Sequence, residues 1–347
     1  MLLRQIVLNH FRNFGKADFT FNPFLTIIIG PNARGKTNLL ESIYFITNGN
    51  GFRESKEEEL INLEARSCSV EGIFVAEEDN FNFRINLIKK EGKIEKIYFV
   101  NNTKQKHFQY LKAQTKAILF SPEQIAIITN APEARRDYFN RLLSGYDWEY
   151  KKRLGNLENA LKRRNKILET VYDEQKLLEE LAFWDDYLEN QANYVTRKRE
   201  EYIDYLNRHP QLEEKEFRIE YVKNLLNKER FLEFFNEEKR WHRTLIGPQK
   251  DDFQIHLKNK HEKNIHHFGS RSEQRLAIMW LKINEVKYYE ENLGRKPILL
   301  LDDIFSELDS HNKKLVLNLV KKYQTIATTT EQEIVPLIEV PQTTIKL

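Results

Sequence analysis

An α/β body of mixed β-sheets, with a helical lobe inserted between its two halves, is the fold expected of this 347-residue chain. Three features carry that expectation. Short β-branched and aromatic stretches fill the first hundred residues. Helical periodicity with charged faces dominates from about residue 133 to 206. From about Leu245 strands and helices alternate again, ending in the apolar run Ile298-Leu299-Leu300-Leu301.

Taken in order, Leu3–Leu8, Ala17–Phe21 and Phe24–Ile29 read as strands because they are short, apolar and rich in branched or aromatic residues. Val70–Val75, Phe81–Ile88 and Lys93–Val100 continue the pattern, and Asn101-Asn102 marks a turn. Lys104 and Lys106 beside that turn read as a solvated hairpin. Asn38–Asn48 is helical. Later, Leu154, Leu157, Leu161 and Leu168 recur three, four and seven residues apart, as do Leu181, Trp184, Leu188, Val195 and Tyr202. Such stripes suit two helices packed as a hairpin, the first interrupted by Gly155. The expected division is 1–120 for the first part of the body, 121–240 for the helical lobe and 241–347 for the remainder.

Composition excludes several classes. There are 55 Lys+Arg against 52 Asp+Glu, so any anionic partner must be met by local basic patches rather than by net charge. The single cysteine, Cys68, rules out an internal disulfide framework and a Cys-rich zinc site. No apolar run approaches the ~20 residues that span a bilayer, and the first residues lack the apolar core of a signal peptide, so a cytoplasmic address is expected.

The sharpest motif is Gly30-Pro31-Asn32-Ala33-Arg34-Gly35-Lys36-Thr37, which fits G-x-x-x-x-G-K-[ST]. Four such fixed positions recur by chance in on the order of 1% of chains this long. Context sharpens it further, because the apolar run Leu25–Ile29 leads in and Leu39, Leu40, Ile43 and Ile46 lead out at helical spacing. Glycines let main-chain N–H groups curl around phosphates, and the helix start adds partial positive charge. Gly30, Asn32, Gly35, Lys36, Thr37 and Asn38 are therefore candidate ATP contacts. Lys36 bridges the β- and γ-phosphates, and the Thr37 hydroxyl offers a ligand to Mg²⁺.

Such a loop needs an acidic partner at the end of a buried strand. Pro297-Ile298-Leu299-Leu300-Leu301-Asp302-Asp303 describes an interior parallel strand emptying into a crevice. Asp302 is the candidate for the magnesium shell, and Asp303 for orienting or polarising an attacking water. Lys36 and Asp303 are thus the candidate catalytic residues.

With these motifs in place, the opening Leu8-Asn9-His10-Phe11-Arg12-Asn13-Phe14 and the loop after it resemble the head domains of SMC-like ABC ATPases, and within them the RecF family of bacterial recombination mediators. Supporting stretches run the length of the chain: Gly51-Phe52-Arg53-Glu54-Ser55-Lys56, Pro132-Glu133-Ala134-Arg135-Arg136, Leu161-Lys162-Arg163-Arg164-Asn165, Gly247-Pro248-Gln249-Lys250-Asp251-Asp252, Phe268-Gly269-Ser270-Arg271-Ser272-Glu273-Gln274-Arg275, and Leu300 to Asp309. The resemblance implies an ABC-type P-loop ATPase head and adds Arg12 to the nucleotide contacts. It makes Ser270–Arg275 the signature motif, in which Ser270 and Gln274 meet nucleotide held by another copy. It makes Ser306–Asp309 a loop at the dimer seam, and it places Thr328-Thr329-Thr330 where transporters carry a switch histidine. Three positions depart from the family pattern: Ser272 stands for a usual glycine, Gln249-Lys250 for a usual His-Arg pair, and Asn140 for a usual aspartate.

By the same resemblance the chain is expected to bind duplex or gapped DNA as an ATP-dependent homodimer, as a slow DNA-dependent ATPase acting as a switch, alongside RecR- and RecO-like partners. Candidate DNA contacts are Arg53, Lys56, Lys162, Arg163 and Arg164, the last three backed by a second basic run, Arg197-Lys198-Arg199. A helix of ~25 residues reaches only ~40 Å, too short for SMC arms. Alternative readings are a small-molecule P-loop kinase, a transporter's nucleotide-binding subunit, and a DNA-binding module with an inactive ATP site. The first leaves Ser270–Arg275 without a role, and the second lacks an evident membrane-docking pattern in the insertion.

Overall fold

The computed structural model describes residues 1–53, 56–258, 262–306, 310–330 and 340–347, with Ser306, Ser310 and His311 as backbone only. The chain opens with strands β1 (Leu2–Phe11), β2 (Phe14–Thr20) and β3 (Leu25–Ile29), then helix α1 (Lys36–Asn48). Four strands follow: β4 (Ser67–Ala76), β5 (Asp79–Lys90), β6 (Lys93–Val100) and β7 (Thr103–Gln105). Helix α2 (His107–Ala113) and strand β8 (Ala117–Phe120) come next. A helical run comprises α3 (Ala126–Thr129), α4 (Pro132–Tyr146), α5 (Trp148–Thr170) and α6 (Glu174–Arg208). It gives way to β9 (Gln211–Leu212), β10 (Lys215–Val222), α7 (Lys228–Trp241), β11 (Asp252–Lys258) and β12 (Glu262–Asn264). The described chain closes with α8 (Ile265–Phe268), α9 (Arg271–Leu293), β13 (Ile298–Asp302), α10 (Ser310–Val320), β14 (Thr325–Thr329) and β15 (Gln342–Lys346).

Two compact units result, one from residues 1–124 with 285–347 and the other from 125–284. The second boundary thus falls at 284, where the sequence pattern suggested 240. The stretch 241–284 groups with the helices because β11 pairs with β10 along seven residues, from Glu216↔Lys258 to Val222↔Asp252.

In the first unit, an antiparallel sheet runs in the order β2-β1-β4-β5-β6-β7, and a parallel sheet in the order β15-β3-β14-β13-β8. The Asn101-Asn102 turn lies between β6 and β7, both residues at positive φ as a tight hairpin needs. Helix α1 shares one core with side chains of both sheets, among them Val70, Phe83, Ile298 and Ile326. Its Leu39, Leu40, Ile43, Phe45 and Ile46 are all fully buried. Burying each such side chain contributes about 1.5–3 kcal/mol relative to exposure, so the helix that begins at Lys36 is anchored along its length. Continuous apolar strands such as β13 are what a parallel sheet covered on its faces requires.

In the second unit, α5 and α6 form the expected hairpin and the helix continues through Gly155, with Asp147 and Asp173 capping the two helix starts through their side chains. A third helix, α4, occupies the beginning of the periodic stretch. Beside these helices stands an antiparallel sheet ordered β12-β11-β10-β9. No helix among the described residues is long and apolar enough to cross a membrane.

Candidate functional site

The parallel sheet explains where the motifs fall. β3, β13 and β14 are adjacent, all emerge at the same edge, and carry the glycine loop, Asp302 and Thr328 at their C-terminal ends. In open α/β sheets that edge is where ligands bind.

Ala33 at φ 65° and Gly35 at φ 104° place two left-handed residues in the loop, a conformation that turns successive N–H groups inward as an anion nest. A side chain on Gly35 would meet the Asn13 amide at 2.7 Å, so glycine is required there on two counts. Asn13 grips the loop from the β1–β2 turn: its Nδ2 lies 3.4 Å from the Arg34 carbonyl, and its Oδ1 accepts from Asn38 Nδ2 at 2.7 Å. Gly30 is equally constrained, since a Cβ would stand 2.6 Å from the Leu347 carbonyl. Lys36 Nζ donates to the loop's own Gly30 and Pro31 carbonyls at 2.7 and 3.0 Å, which positions the ammonium inside the loop. Asn32 is exposed on the loop's outer turn.

The Thr37 hydroxyl donates to Asp302 Oδ1 at 3.0 Å, and the Thr328 hydroxyl donates to the same oxygen at 2.8 Å. The Asp303 N–H in turn donates to Thr328 Oγ1 at 2.9 Å, with Asp303 held at φ 48°. Thr328, fully buried, therefore clips the acidic pair in place. Burial pushes the Asp302 carboxyl up from the ordinary aspartate range; the hydrogen bonds from Thr328 and Thr37 and the charge of Arg53 oppose that, while Glu123 adds to it. A hydroxyl and a carboxylate oxygen meeting beside an anion nest form the donor set a hard, octahedral cation accepts. The chain's residues therefore fit Mg²⁺ as well as a triphosphate, with Thr37 and Asp302 as the groups that would hold the ion. When bound there, the ion would neutralise phosphate charge.

Glu41 was not legible in advance. Its carboxylate is fully buried one turn beyond Thr37, and takes two bonds from the Arg12 guanidinium (2.8 and 3.1 Å) and one from the Arg53 N–H (3.0 Å). Arg12 also donates to the Glu59 carbonyl. Both arginines are thereby tethered to the helix that starts at Lys36. Arg53, read from sequence as a DNA contact, is held through its main chain to Glu41, and its charge is one of those that lower the Asp302 carboxyl. A glutamate inside an ordinary helix offers no sequence signal of such a role. Thr328 offered a faint one, as part of a polar run ending an apolar strand.

In the second unit, Ser270 caps α9 reciprocally. Its N–H donates to Glu273 Oε2 at 2.7 Å, and its Oγ accepts from the Glu273 N–H at 3.3 Å. Burial alone would raise the Glu273 carboxyl, but hydrogen bonds from Lys263 and Ser270 hold it below the usual range. Ser270 and Ser272 are both exposed, so both are presented at the helix start. Gln274 differs from expectation: it is 8% exposed and its amide lies against the Ile265 carbonyl, so its side chain faces its own unit rather than a second nucleotide. Of the seam loop Ser306–Asp309, residues 307–309 lie outside the described residues.

The basic run in the helical lobe is corrected most. Arg164 has no exposed surface. Its guanidinium bonds Asp185 and Glu238, each at 2.6 Å, and the Thr244 hydroxyl at 3.0 Å, over the Phe231 ring. A buried guanidinium with two carboxylate partners cannot reach DNA. Arg199 is also buried, bonded to Asp251, Asn140, Tyr150 and the Pro248 carbonyl. This accounts for Asn140, which accepts from both Arg199 and Tyr150 where a second carboxylate would add charge. Lys162 and Arg163 are exposed, the latter over Trp184, and Lys56 is exposed beside Glu58.

Comparison with known proteins gives the family and the fold. The family model described as "RecF/RecN/SMC N terminal domain" matches residues 2–344. A protein of Natranaerobius thermophilus named "DNA replication and repair protein RecF" is 32% identical, with 96% of this chain and 92% of the relative covered. A protein of the same name from an Exiguobacterium species is also 32% identical, with 95% and 92% covered. Among solved structures, the recombination mediator RecF bound to ATP superposes with a TM-score of 0.86 at 27% identity, covering 99% of this chain and 95% of that one. The Smc head domain of Pyrococcus furiosus, with a TM-score of 0.52 at 18% identity over 97% of this chain and 92% of that one, shares the fold.

Proposed function

This chain belongs to the RecF/RecN/SMC N-terminal domain family, and from that membership we propose that it is an ATP-dependent DNA-binding recombination mediator. It acts in DNA replication and repair, as its curated relatives are named for doing. ATP is the ligand of the Gly30–Thr37 loop, with Mg²⁺ at Thr37 and Asp302. Two copies close over two ATP molecules, each loop completed by the partner's Ser270 helix start. The closed dimer engages duplex or gapped DNA, with RecR- and RecO-like proteins as partners.

The observation that carries the reading is the convergence of Thr37 and Thr328 on one oxygen of Asp302 at the mouth of the glycine loop. Within this arrangement Lys36 supplies charge to the phosphates from inside the loop, Arg12 and Arg53 add charge from the flank that Glu41 holds, and Asp303 orients water. Closing two copies doubles the cations in register with DNA, and affinity rises steeply because counterion release scales with phosphates contacted.

Anisotropy of a labelled gapped duplex, with and without Mg-ATP, tests this alongside sedimentation. The expected result is that ATP raises both the dimer fraction and DNA affinity, that Lys36→Ala loses both gains, and that mixing Lys36→Ala with Ser270→Arg restores one working site per hybrid. DNA binding indifferent to nucleotide, or turnover stimulated by a small acceptor alone, would overturn it.

A further inference from the structure

The edge of the parallel sheet opposite the nucleotide loop has a character of its own. Here α2, α9 and α10 end, and three loops lead into β8, β13 and β14. The loop segments 112–116, 293–297 and 320–324 that build this edge hold six Lys/Arg and no acid, the nearest being Glu290 and Glu291 in the last turn of α9. In a chain with 55 basic and 52 acidic residues, that is a marked local excess.

Lys112, Arg295, Lys296, Lys321 and Lys322 are all exposed. They converge, because Arg295 Nη1 donates to the carbonyls of Lys112 and Ala113, and Lys296 Nζ to that of Lys322. The strands β8, β13 and β14 are neighbours, so the loops lie within about 10 Å at ~4.8 Å per strand.

Part of this basic character answers the three helix C-termini, whose free carbonyls attract cations. Carbonyls are neutral, however, and leave the formal charges standing. None of the five takes part in an ion pair among the described residues, and Glu290 is engaged by the Tyr323 hydroxyl. Tyr323, the aromatic ring of the three loops between helix end and strand, is 8% exposed beneath Lys296, so it is not offered for base stacking. Unpaired cations on short loops, without a stacking platform, suit a regular array of phosphates.

We propose that this edge, bearing Lys112, Arg295, Lys296, Lys321 and Lys322, is a binding face for the phosphate backbone of duplex nucleic acid. The inference deepens the proposed function by naming where DNA lies, and it rests on that reading. Strands of five residues at ~3.3 Å each hold the face about 16 Å from the nucleotide end, beyond the ~8–10 Å Debye length. Bound nucleotide therefore acts on this face through dimerisation and not through direct repulsion, and the Lys36→Ala chain keeps a weak, salt-sensitive affinity for duplex.

The test compares the full chain with Lys321→Gln/Lys322→Gln and with a form that adds Arg295→Gln and Lys296→Gln. Affinity for a 30-base-pair duplex is measured by anisotropy across a salt series, and binding of a fluorescent ATP analogue serves as the control. The expected result is at least a tenfold loss of DNA affinity in the fourfold variant and a salt slope shallower by about 3 to 4, at ~0.9 per phosphate contact. The double variant falls between, and ATP binding is unchanged in both. Unaltered DNA affinity and slope would overturn the proposal while leaving the proposed function intact, as would retained DNA binding with loss of affinity for a polyglutamate probe. A parent chain whose duplex binding ignores ATP would instead sink the proposed function itself.

Discussion

Replacing Thr328 by valine removes one hydroxyl and keeps the shape. Thr328 has no exposed surface, so the added methyl sits where the hydroxyl was and packing is retained. Two bonds disappear: the one donated to Asp302 Oδ1 at 2.8 Å and the one accepted from the Asp303 N–H at 2.9 Å. The first is a hydrogen bond to a charged group, about 1.5–3 kcal/mol. The second strands an N–H in a half-buried site, which costs a further ~1–2 kcal/mol of fold stability. Asp302 keeps only Thr37 as a hydroxyl donor, and its orientation and ionisation both suffer. At 1.4 kcal/mol per tenfold, the Mg²⁺-dependent part of ATP affinity should fall by about 10- to 100-fold. Affinity without Mg²⁺ rests on the loop and Lys36 and should stay within twofold. Titrating a fluorescent ATP analogue with and without Mg²⁺ separates the two, and Thr328→Ser should restore most of the loss. A valine variant that binds Mg-ATP as the parent does would refute the clip.

Other substitutions probe other residues. Arg164→Met leaves Glu238 buried and Asp185 part-buried without their cation, so denaturant unfolding should show a loss of about 3–5 kcal/mol, whereas DNA affinity measured on the folded fraction should not move. Glu41→Ala frees Arg12 and the Arg53 backbone together; ATP affinity should drop by roughly tenfold through loss of charge-assisted bonds, and equilibrium dialysis would reveal it. Acidification acts through Asp302. Because its carboxyl is raised in the fold, Mg²⁺-dependent ATP binding should begin to fail at a pH above the ordinary aspartate range. The sign for stability is the reverse: this group's contribution is fully present below the unfolded aspartate value and is lost as pH rises through the folded one. Calorimetric titration across pH 4 to 7 reads the first effect, and a pH-resolved melt of Asp302→Asn against the parent reads the second.

Local chemistry made much of the molecule legible from the chain alone. Glycine, lysine and threonine at fixed spacing between an apolar strand and a helix admit few other structures, because only that order presents N–H groups and a helix start to one anion. The run Ile298–Asp302 could be placed in a buried parallel sheet since four consecutive aliphatics need cover on both faces. Lys93–Val100 and the turn after it were equally plain from branched and aromatic content and paired asparagines.

What spacing could not decide was which charges face water. Lys162, Arg163 and Arg164 are one basic run, yet helical geometry turns the third inward by 100° per residue onto Asp185 and Glu238, which lie 21 and 74 positions away. Glu41 likewise became a tether because folding delivered Arg12 and Arg53 to it, and Thr328 became a clip when β14 settled beside β13. The basic edge arises the same way, from three loops distant in sequence brought together by strand order. The motifs are contiguous and carry their chemistry locally; partnerships between charges depend on long-range contacts, which exist only once the sheets and helices have packed.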